Sequence, residues 1–439
     1  MLRLRGLYLA GVMCVGTLAG CAGWRHGGLA ATPEGATSAA AAVLPAVREP
    51  PKVSLSSLSL PSFQAVDKAL ARKPEPAGYR LLDESQCQCL AAANSTLGNL
   101  LAGQGATLAG QGGGRRDPDA AARFLMADVV ALRAVEERNR SAAAAMELYY
   151  RLAGAYFGRD QLDRSLEEVR RSIRNFRQAK ATGLSVPGDE EKLQIQELEL
   201  VDRKVQLDAA IGQLDDELCH LIGAERLDRQ PLWPAAEMAV AVSAIDLDAA
   251  VAEGLRSRPD LAALCLLKQE LSGQTLPAVR GALERLDPLL GGLSPSKHFF
   301  SASLRRTFDY VELLQRQSQL GQLLESQKGA AEEEIRGAAG DVERRLRQVG
   351  LAKDKLDRCQ SELRRLREKR EAKGTVQLSE ISAAQLEVFR AESDAFQAVV
   401  EWKIAAVKLK QSQGLLAAEC GYTLPAACCE ECLSGSHQE

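Results

Sequence analysis

The chain of 439 residues has few aromatic side chains, four histidines and little net charge. Aromatics make up 4% of it and the net charge is −3, which argues against the basic stripe of a nucleic-acid-binding protein. The histidines (His26, His220, His298 and His437) are not in metal-binding spacings, and no phosphate loop or nucleophile elbow occurs. We therefore expect no catalytic residue, no metal, no cofactor and no nucleic-acid partner.

Long apolar runs are also missing. The apolar stretch of residues 7–19 is too short for a membrane span of ~20 residues, and no later segment reaches ~18 apolar residues. The stretch ends in Leu18-Ala19-Gly20-Cys21, which resembles the lipobox of bacterial lipoproteins, with Cys21 as the lipidated residue. Ala22 then favours export to the outer membrane, again by resemblance. A plain signal peptide with an incidental cysteine is the alternative.

Part of the chain occurs twice, which indicates an assembly device rather than a pocket enzyme. Lys73-Pro74-Glu75 and Arg258-Pro259-Asp260 end matching segments at an offset of 185 residues (258 − 73). These corner motifs could be functional, or the proline could fix the angle between two helices. The predicted boundaries are a signal peptide (1–20), a flexible Ala/Pro/Gly-rich tether (21–58), two helical-hairpin repeats (59–223 and 245–417) and a Cys-rich tail (418–439).

Apolar residues recur every seven positions in both repeats, which predicts long coiled-coil helices. In the first repeat a helix from Pro118 to about Ala181 is followed by a returning helix. A short helix is predicted from residue 85 to about 105, and a loop over 103–119. In the second repeat we expect Val349 and Leu356 to be buried against the returning helix. The heptad rows are Leu125, Leu132, Asn139, Met146 and Ala153; Leu207, Leu214 and Leu221; Ile335, Val342, Val349, Leu356 and Leu363; and Ile381, Val388, Ala395, Trp402, Leu409 and Leu416.

Each predicted hairpin turns at a glycine. Gly183, with Leu184 and Ser185, forms the first tip, and Gly374 marks the second. These four residues could dock a partner, or they could be ordinary turns, because glycine ends helices for backbone reasons.

The cysteines fall into three groups. Cys87 and Cys89 form a Cys-x-Cys pair, whereas isolated cysteines on helices are expected to be small buried apolar groups. The isolated ones are Cys219, Cys265 and Cys359, and the tail holds Cys420, Cys428, Cys429 and Cys432. The tail could bind metal or form disulfides. Disulfides are favoured, because the repeated Cys-x-x-Cys pairs of zinc sites are absent and an oxidising periplasm is expected.

The motifs together resemble the TolC-type outer-membrane efflux channels, in their lipid-anchored branch. Arg258-Pro259-Asp260-Leu261 is similar to the family's corner sequence. Gly374, followed by Leu378, Ile381 and Ala384-Gln385-Leu386, is similar to its second-tip signature, and Thr182-Gly183-Leu184-Ser185 to the tip sequence presented to a periplasmic adaptor. The resemblance covers roughly residues 60–418.

The resemblance implies three subunits that close a long α-barrel, with two membrane β-strands inserted in each repeat. Those inserts should fall near residues 101–120 and 286–305, yet neither window holds two strands of ~9–11 alternating residues. The expected fold is therefore all-α or mainly α. It consists of two tandem antiparallel coiled-coil hairpins, with the transmembrane strands absent or vestigial.

The expected function is that of a subunit of an outer-membrane export conduit. By resemblance, it would form a homotrimer and dock to a periplasmic adaptor and an inner-membrane pump. The lipid at Cys21 would hold it to the outer membrane, with its body in the periplasm. The alternative is a lipid-anchored periplasmic scaffold that kept the helical hairpins and no longer conducts. A third candidate, the adaptor itself, lacks support because no β-rich flanking domains are evident.

Overall fold

A computed structural model describes residues 78–110, 119–182, 190–224, 230–236, 238–240, 245–286, 302–373 and 376–424. All of them belong to the unit Pro50–Glu439. The predicted signal peptide, lipid site Cys21 and tether lie outside the described residues.

The described chain consists mainly of helices. Its elements, in order, are β1 (Arg80–Leu82), α1 (Glu84–Ala93), α2 (Thr96–Gly110), α3 (Ala120–Ala181), α4 (Glu190–Ile222), β2 (Leu232–Pro234), α5 (Leu247–Ser257), α6 (Pro259–Gln269), α7 (Leu276–Leu286), α8 (Ala302–Lys373), α9 (Leu378–Ser412) and α10 (Leu415–Glu419).

Helix α3 confirms the long helix predicted from the heptad pattern. It has 62 residues, which at ~1.5 Å per residue gives about 93 Å. Every member of the first heptad row is buried, including the polar Asn139. Such a stripe cannot be buried by one helix alone, so α3 has neighbours along its whole length.

The four long helices pack side by side in the order α4, α3, α9, α8. Val349 and Leu356 are buried, with 1% and 6% of their surface exposed, as predicted. Leu356 lies in one apolar cluster with Val388 and Ala395 of the returning helix. The packing of α8 on α9 therefore follows the two heptad rows.

Beyond the hairpins, shorter helices cover the other half of α3. Helix α2 packs on α3, while α6 contacts both α3 and α8. Leu125 of α3, Leu261 of α6 and Leu320 of α8 share one buried cluster. In this half the order is therefore α2, α3, α6, α8.

The prediction of a loop over 103–119 was wrong for residues 103–110, because α2 continues to Gly110. Glycine disfavours helix, yet here its lack of a side chain permits close packing. A Cβ on Gly105 would lie 3.1 Å from the backbone oxygen of Ala127, and one on Gly98 would lie 2.9 Å from Arg138. Tertiary contact with α3 thus overrides local propensity.

A two-stranded parallel sheet joins the segment before α1 to the segment after α4. Arg80 pairs with Leu232 and Leu82 with Pro234. Two buried tyrosines of α3 hold it, since Tyr149 donates to the Leu82 carbonyl at 3.2 Å and Tyr156 to the Leu232 carbonyl at 3.1 Å. Among the described helices, none has an apolar stretch long enough to cross a lipid bilayer.

Candidate functional site

The corner motif of the second repeat lies at a junction of four helices. Arg258 separates α5 from α6 in extended conformation, and Pro259 occupies the first turn of α6, where its missing N–H costs nothing. The Arg258 guanidinium binds both carboxylate oxygens of Asp260, at 3.1 and 2.8 Å. It also donates to Glu334 of α8 at 2.5 Å and to the Ser412 carbonyl, at the end of α9, at 2.9 Å.

Through these contacts Arg258 holds the start of α6, helix α8 and the end of α9 together. Burial by itself lowers the pKa of the guanidinium, but the hydrogen bonds and charges of Asp260, and then of Glu334, outweigh it and raise that pKa above its usual range. The side chain stays charged and satisfies a carbonyl at a helix end, which would otherwise lack a partner. The geometry thus favours the structural interpretation of this corner. Lys73, Pro74 and Glu75, the matching corner of the first repeat, lie outside the described residues.

Two glycines allow the backbones to meet at this corner. Gly414 has φ +78, and a Cβ there would lie 2.8 Å from the Ser257 oxygen. A Cβ on Gly254 would lie 2.4 Å from Ile335 and 3.3 Å from the Cα of Gln413. The Gln413 side chain completes the contact by donating to the Ala250 carbonyl at 2.9 Å.

Asn139, the polar member of its heptad row, joins α3 to the same corner. Its amide nitrogen donates to the Gln411 carbonyl at 2.9 Å, and its oxygen accepts from the backbone N–H groups of Leu416 and Ala417 at 3.0 and 3.4 Å. The side chain therefore caps the N-terminus of α10 from a different helix, as an N-cap residue would. A heptad row alone does not reveal this role.

The proposed docking residues Gly183, Leu184, Ser185 and Gly374 lie outside the described residues. Near the C-terminal end of α3 and the N-terminal end of α9, a cleft of about 400 Å³ lies between α3, α8 and α9. Ser382 of α9 bridges it by donating to Glu168 at 2.8 Å and accepting from Ser172 at 2.9 Å. The cleft is lined mainly by charged and polar side chains of α3, α8 and α9, among them Arg164, Arg171, Arg367 and Gln385.

The exposed large apolar side chains concentrate at the two edges of the helical layer. Helices α2 and α4 form one edge, and α8 forms the other. Nine such side chains lie on these three helices: Leu97, Leu100, Ile195, Leu198, Val205, Tyr310, Val311, Leu314 and Leu351. Apolar patches of this kind mark interaction surfaces in soluble proteins.

A disulfide joins Cys89 of α1 to Cys420, 331 residues later, with 5.2 Å between the Cα atoms. The prediction of a disulfide is therefore confirmed for Cys420. Its partner Cys89 belongs to the Cys-x-Cys pair and not to the tail. Cys219 and Cys265 are buried, as predicted, whereas Cys359 is half-buried. Among the described residues, no group of three His, Cys, Asp or Glu side chains could hold a metal ion.

No protein-family model and no curated protein matches the chain. Solved structures of channels do match. A crystal structure of CusC, a protein that forms a transmembrane channel, has a TM-score of 0.56 at 13% identity, over 78% of this chain and 95% of that one. The outer membrane channel CmeC of Campylobacter jejuni gives a TM-score of 0.54 at 12% identity, over 75% and 85%. The outer membrane protein VceC of Vibrio cholerae gives 0.50 at 10% identity, over 67% and 74%.

The chain has the fold of the TolC-type outer-membrane channels. At these identities the likeness concerns the fold, and it confirms the mainly helical architecture expected from the repeats. Within the TolC-type fold, the structure brings Arg258, Pro259 and Asp260 together with Asn139 at one corner. The roles of the corner and tip residues stay predictions.

Proposed function

We propose that copies of this chain pack edge to edge into a closed ring of helices, which forms an export conduit at the outer membrane. The observation that carries this proposal is the exposure of large apolar side chains along the edge helices α2, α4 and α8. Each edge helix has a long neighbour on one side within the chain, so a second copy can cover the other side.

In the half that contains the end of α3 and the start of α4, contacts between neighbouring helices show which residues of the two edges lie at one level. Arg170 of α3 donates to Glu197 of α4, Ser172 of α3 donates to Ser382 of α9, and Arg367 of α8 donates to Gln385 of α9. Leu198, 69% exposed, therefore lies at about the height of Arg365, which is exposed on α8. A symmetric ring keeps each residue at one height, so these two side chains can meet across the interface.

In the other half, large side chains on one edge face small ones on the other. Gly98 of α2 lies beside Arg138 of α3, and the next residue, Asn139, bonds to the end of α9. Arg258 bonds to the same end of α9 and to Glu334 of α8, so Gly98 and Glu334 lie at about the same height. Leu97 and Leu100 are exposed there, whereas α8 carries Gly337 and Gly340 with open space around them. Large side chains opposite glycines allow close helix packing.

The exposed charges of the two edges differ in their balance in the half that contains the end of α3 and the start of α4. Both edges expose both signs, with an excess of basic side chains on α8, including Arg364 and Lys369, and of acidic ones on α4, including Glu199 and Asp202. Opposite charges on the two faces of one interface favour its register and discourage other pairings. An interface between two different edges of the same chain closes into a ring when the rotation permits.

The remaining features of the proposal rest on resemblance. Three copies per ring, docking of a periplasmic adaptor at Gly183, Leu184, Ser185 and Gly374, and an inner-membrane pump are what the TolC type implies. The matching structures include outer-membrane proteins, which supports location at the outer membrane. The lipid anchor at Cys21 rests on the resemblance to a lipobox. A disulfide in the body fits an oxidising compartment such as the periplasm.

Cysteine cross-linking tests the ring. In a Cys359→Ser background, Leu198→Cys combined with Arg365→Cys should yield cross-linked species up to the trimer in native membranes, because a disulfide needs Cα atoms within ~7 Å. Glu167→Cys combined with Arg365→Cys is the matched control, since Glu167 is exposed at about the same height on the inner helix α3. Monomer alone for the first pair, or equal cross-linking of both pairs, would contradict the edge-to-edge ring.

Conductance then separates the conduit from the scaffold. Purified rings inserted in a planar lipid bilayer should pass discrete current steps if the function is export through the ring. Cross-linked rings that pass no current would instead support the non-conducting lipid-anchored scaffold.

A further inference from the structure

The end of the described chain lies across α3 and α1. We call residues 415–424, which comprise α10 and the segment after it, the strap. Leu416 is buried in the main core, and Ala417 beside it is also buried. Leu424 packs beside Leu132 of α3 and Ala262 of α6. The strap therefore connects the end of the second repeat to the start of the first.

The strap depends on contacts with other helices for its shape. A helix of five residues is not stable alone in water. Asn139 caps α10, and Gln88 of α1 donates to the Leu416 carbonyl at 2.9 Å and to Glu419 at 2.8 Å. The Arg138 guanidinium lies 4.4 Å from the centre of the Tyr422 ring.

A disulfide fastens the strap to α1. Cys420 follows α10 directly and is bonded to Cys89, in the same turn of α1 as Gln88. The bond lies beside the polar contacts of the strap, so it holds together the surfaces that make them. Because the bond joins residues 331 positions apart, it lowers the chain entropy of the unfolded state and so stabilises the folded form relative to it.

Cys87 does not compete for this bond. Two residues apart on a helix, Cys87 and Cys89 point to different sides. The Cys87 thiol is fully buried and donates to the Ala145 carbonyl at 3.7 Å. Burial, followed by the charges of Asp83 and Glu84, raises its pKa to about 12, so the reactive thiolate is scarce.

We propose that the Cys89–Cys420 disulfide is a redox-sensitive clasp, which holds the strap on α3 when oxidised and releases it when reduced. Closing transfers two electrons from the two thiols to an external protein disulfide. The sulfur–sulfur bond forms in this chain, and the external disulfide takes up both protons and becomes a dithiol. A dithiol reductant drives the reverse exchange. The end of α8 and the first half of α9 stay packed on release, because the cluster of Leu356, Val388 and Ala395 contains no strap residue.

Hydrogen exchange of the full-length protein tests the clasp. The oxidised protein is compared with protein reduced by dithiothreitol and alkylated. Amides of residues 415–424 should exchange at least about tenfold faster after reduction, while those of residues 385–395 in α9 keep their protection. Cys89→Ser should behave like the reduced protein. Cys87→Ser is the matched control on the same helix and should retain both the disulfide and the protected strap.

Three outcomes would overturn the inference. Alkylation of both Cys89 and Cys420 in the protein purified without reductant would show that the bond is not formed. Unchanged exchange of the strap after reduction would show that the bond does not hold it. Equal loss of protection in α9 would mean that reduction unfolds the whole body. None of these outcomes bears on the ring, which is tested separately by cross-linking.

Discussion

Replacement of Gly414 by alanine tests the close contact at the corner. Gly414 has φ +78, where any residue with a Cβ is strained by about 1 kcal/mol. The added Cβ would also lie 2.8 Å from the Ser257 oxygen and 3.2 Å from the Cα of Arg258. Both are backbone atoms, so neither can rotate away as a side-chain end would.

Relief of this clash must shift α5 or the end of α9. Such a shift lengthens the hydrogen bond from Arg258 to the Ser412 carbonyl, and a bond to a charged group contributes about 1.5–3 kcal/mol. Added to the φ strain, the expected loss in the free energy of unfolding is about 2.5–4 kcal/mol.

Gly421→Ala is the matched control. Gly421 has φ +91, but no heavy atom lies within 4 Å of its ideal Cβ position. Only the backbone strain applies there, so the loss should be about 1 kcal/mol. Urea unfolding of both variants and the wild type, followed by circular dichroism at the helical band, gives the comparison. Equal losses for the two variants would refute the claim that backbone contact at the corner requires glycine.

Three further predictions concern the seam, the anchor and the pH response. Leu356→Ala should lower the free energy of unfolding by about 2–5 kcal/mol, because the side chain is buried in the seam; an unchanged urea midpoint would contradict this. Cys21→Ala should abolish palmitate labelling, and equal labelling of the two proteins would exclude Cys21 as the lipid site. Arg280 of α7 donates hydrogen bonds to Glu312 of α8, and these lower the pKa of the Glu312 carboxyl group. Ionised Glu312 therefore stabilises the fold at pH values above the ordinary glutamate pKa, and this stabilisation is lost as the pH falls through the lowered pKa. Glu312→Gln should therefore flatten the acid side of the stability profile, and a profile identical to wild type would count against the pair.

The long helices and their seams are determined by local sequence. A seven-residue apolar repeat places Val349 and Leu356 on one stripe whatever lies around them, and that stripe must be covered. Proline after Arg258 likewise limits the backbone at the corner through its own ring. These features follow from residues a few positions apart, so the pattern alone predicts them.

Only the tertiary structure decides which distant groups meet. The choice of Cys420 by Cys89, the cap that Asn139 provides for α10, and the bond from Arg258 to Ser412 each join residues more than 150 positions apart. No local period encodes such pairs, since many pairings are compatible with the same heptads. Helix α2 also could not be predicted from local sequence, because its glycines disfavour a helix. The helix forms because α3 packs closely against those glycines.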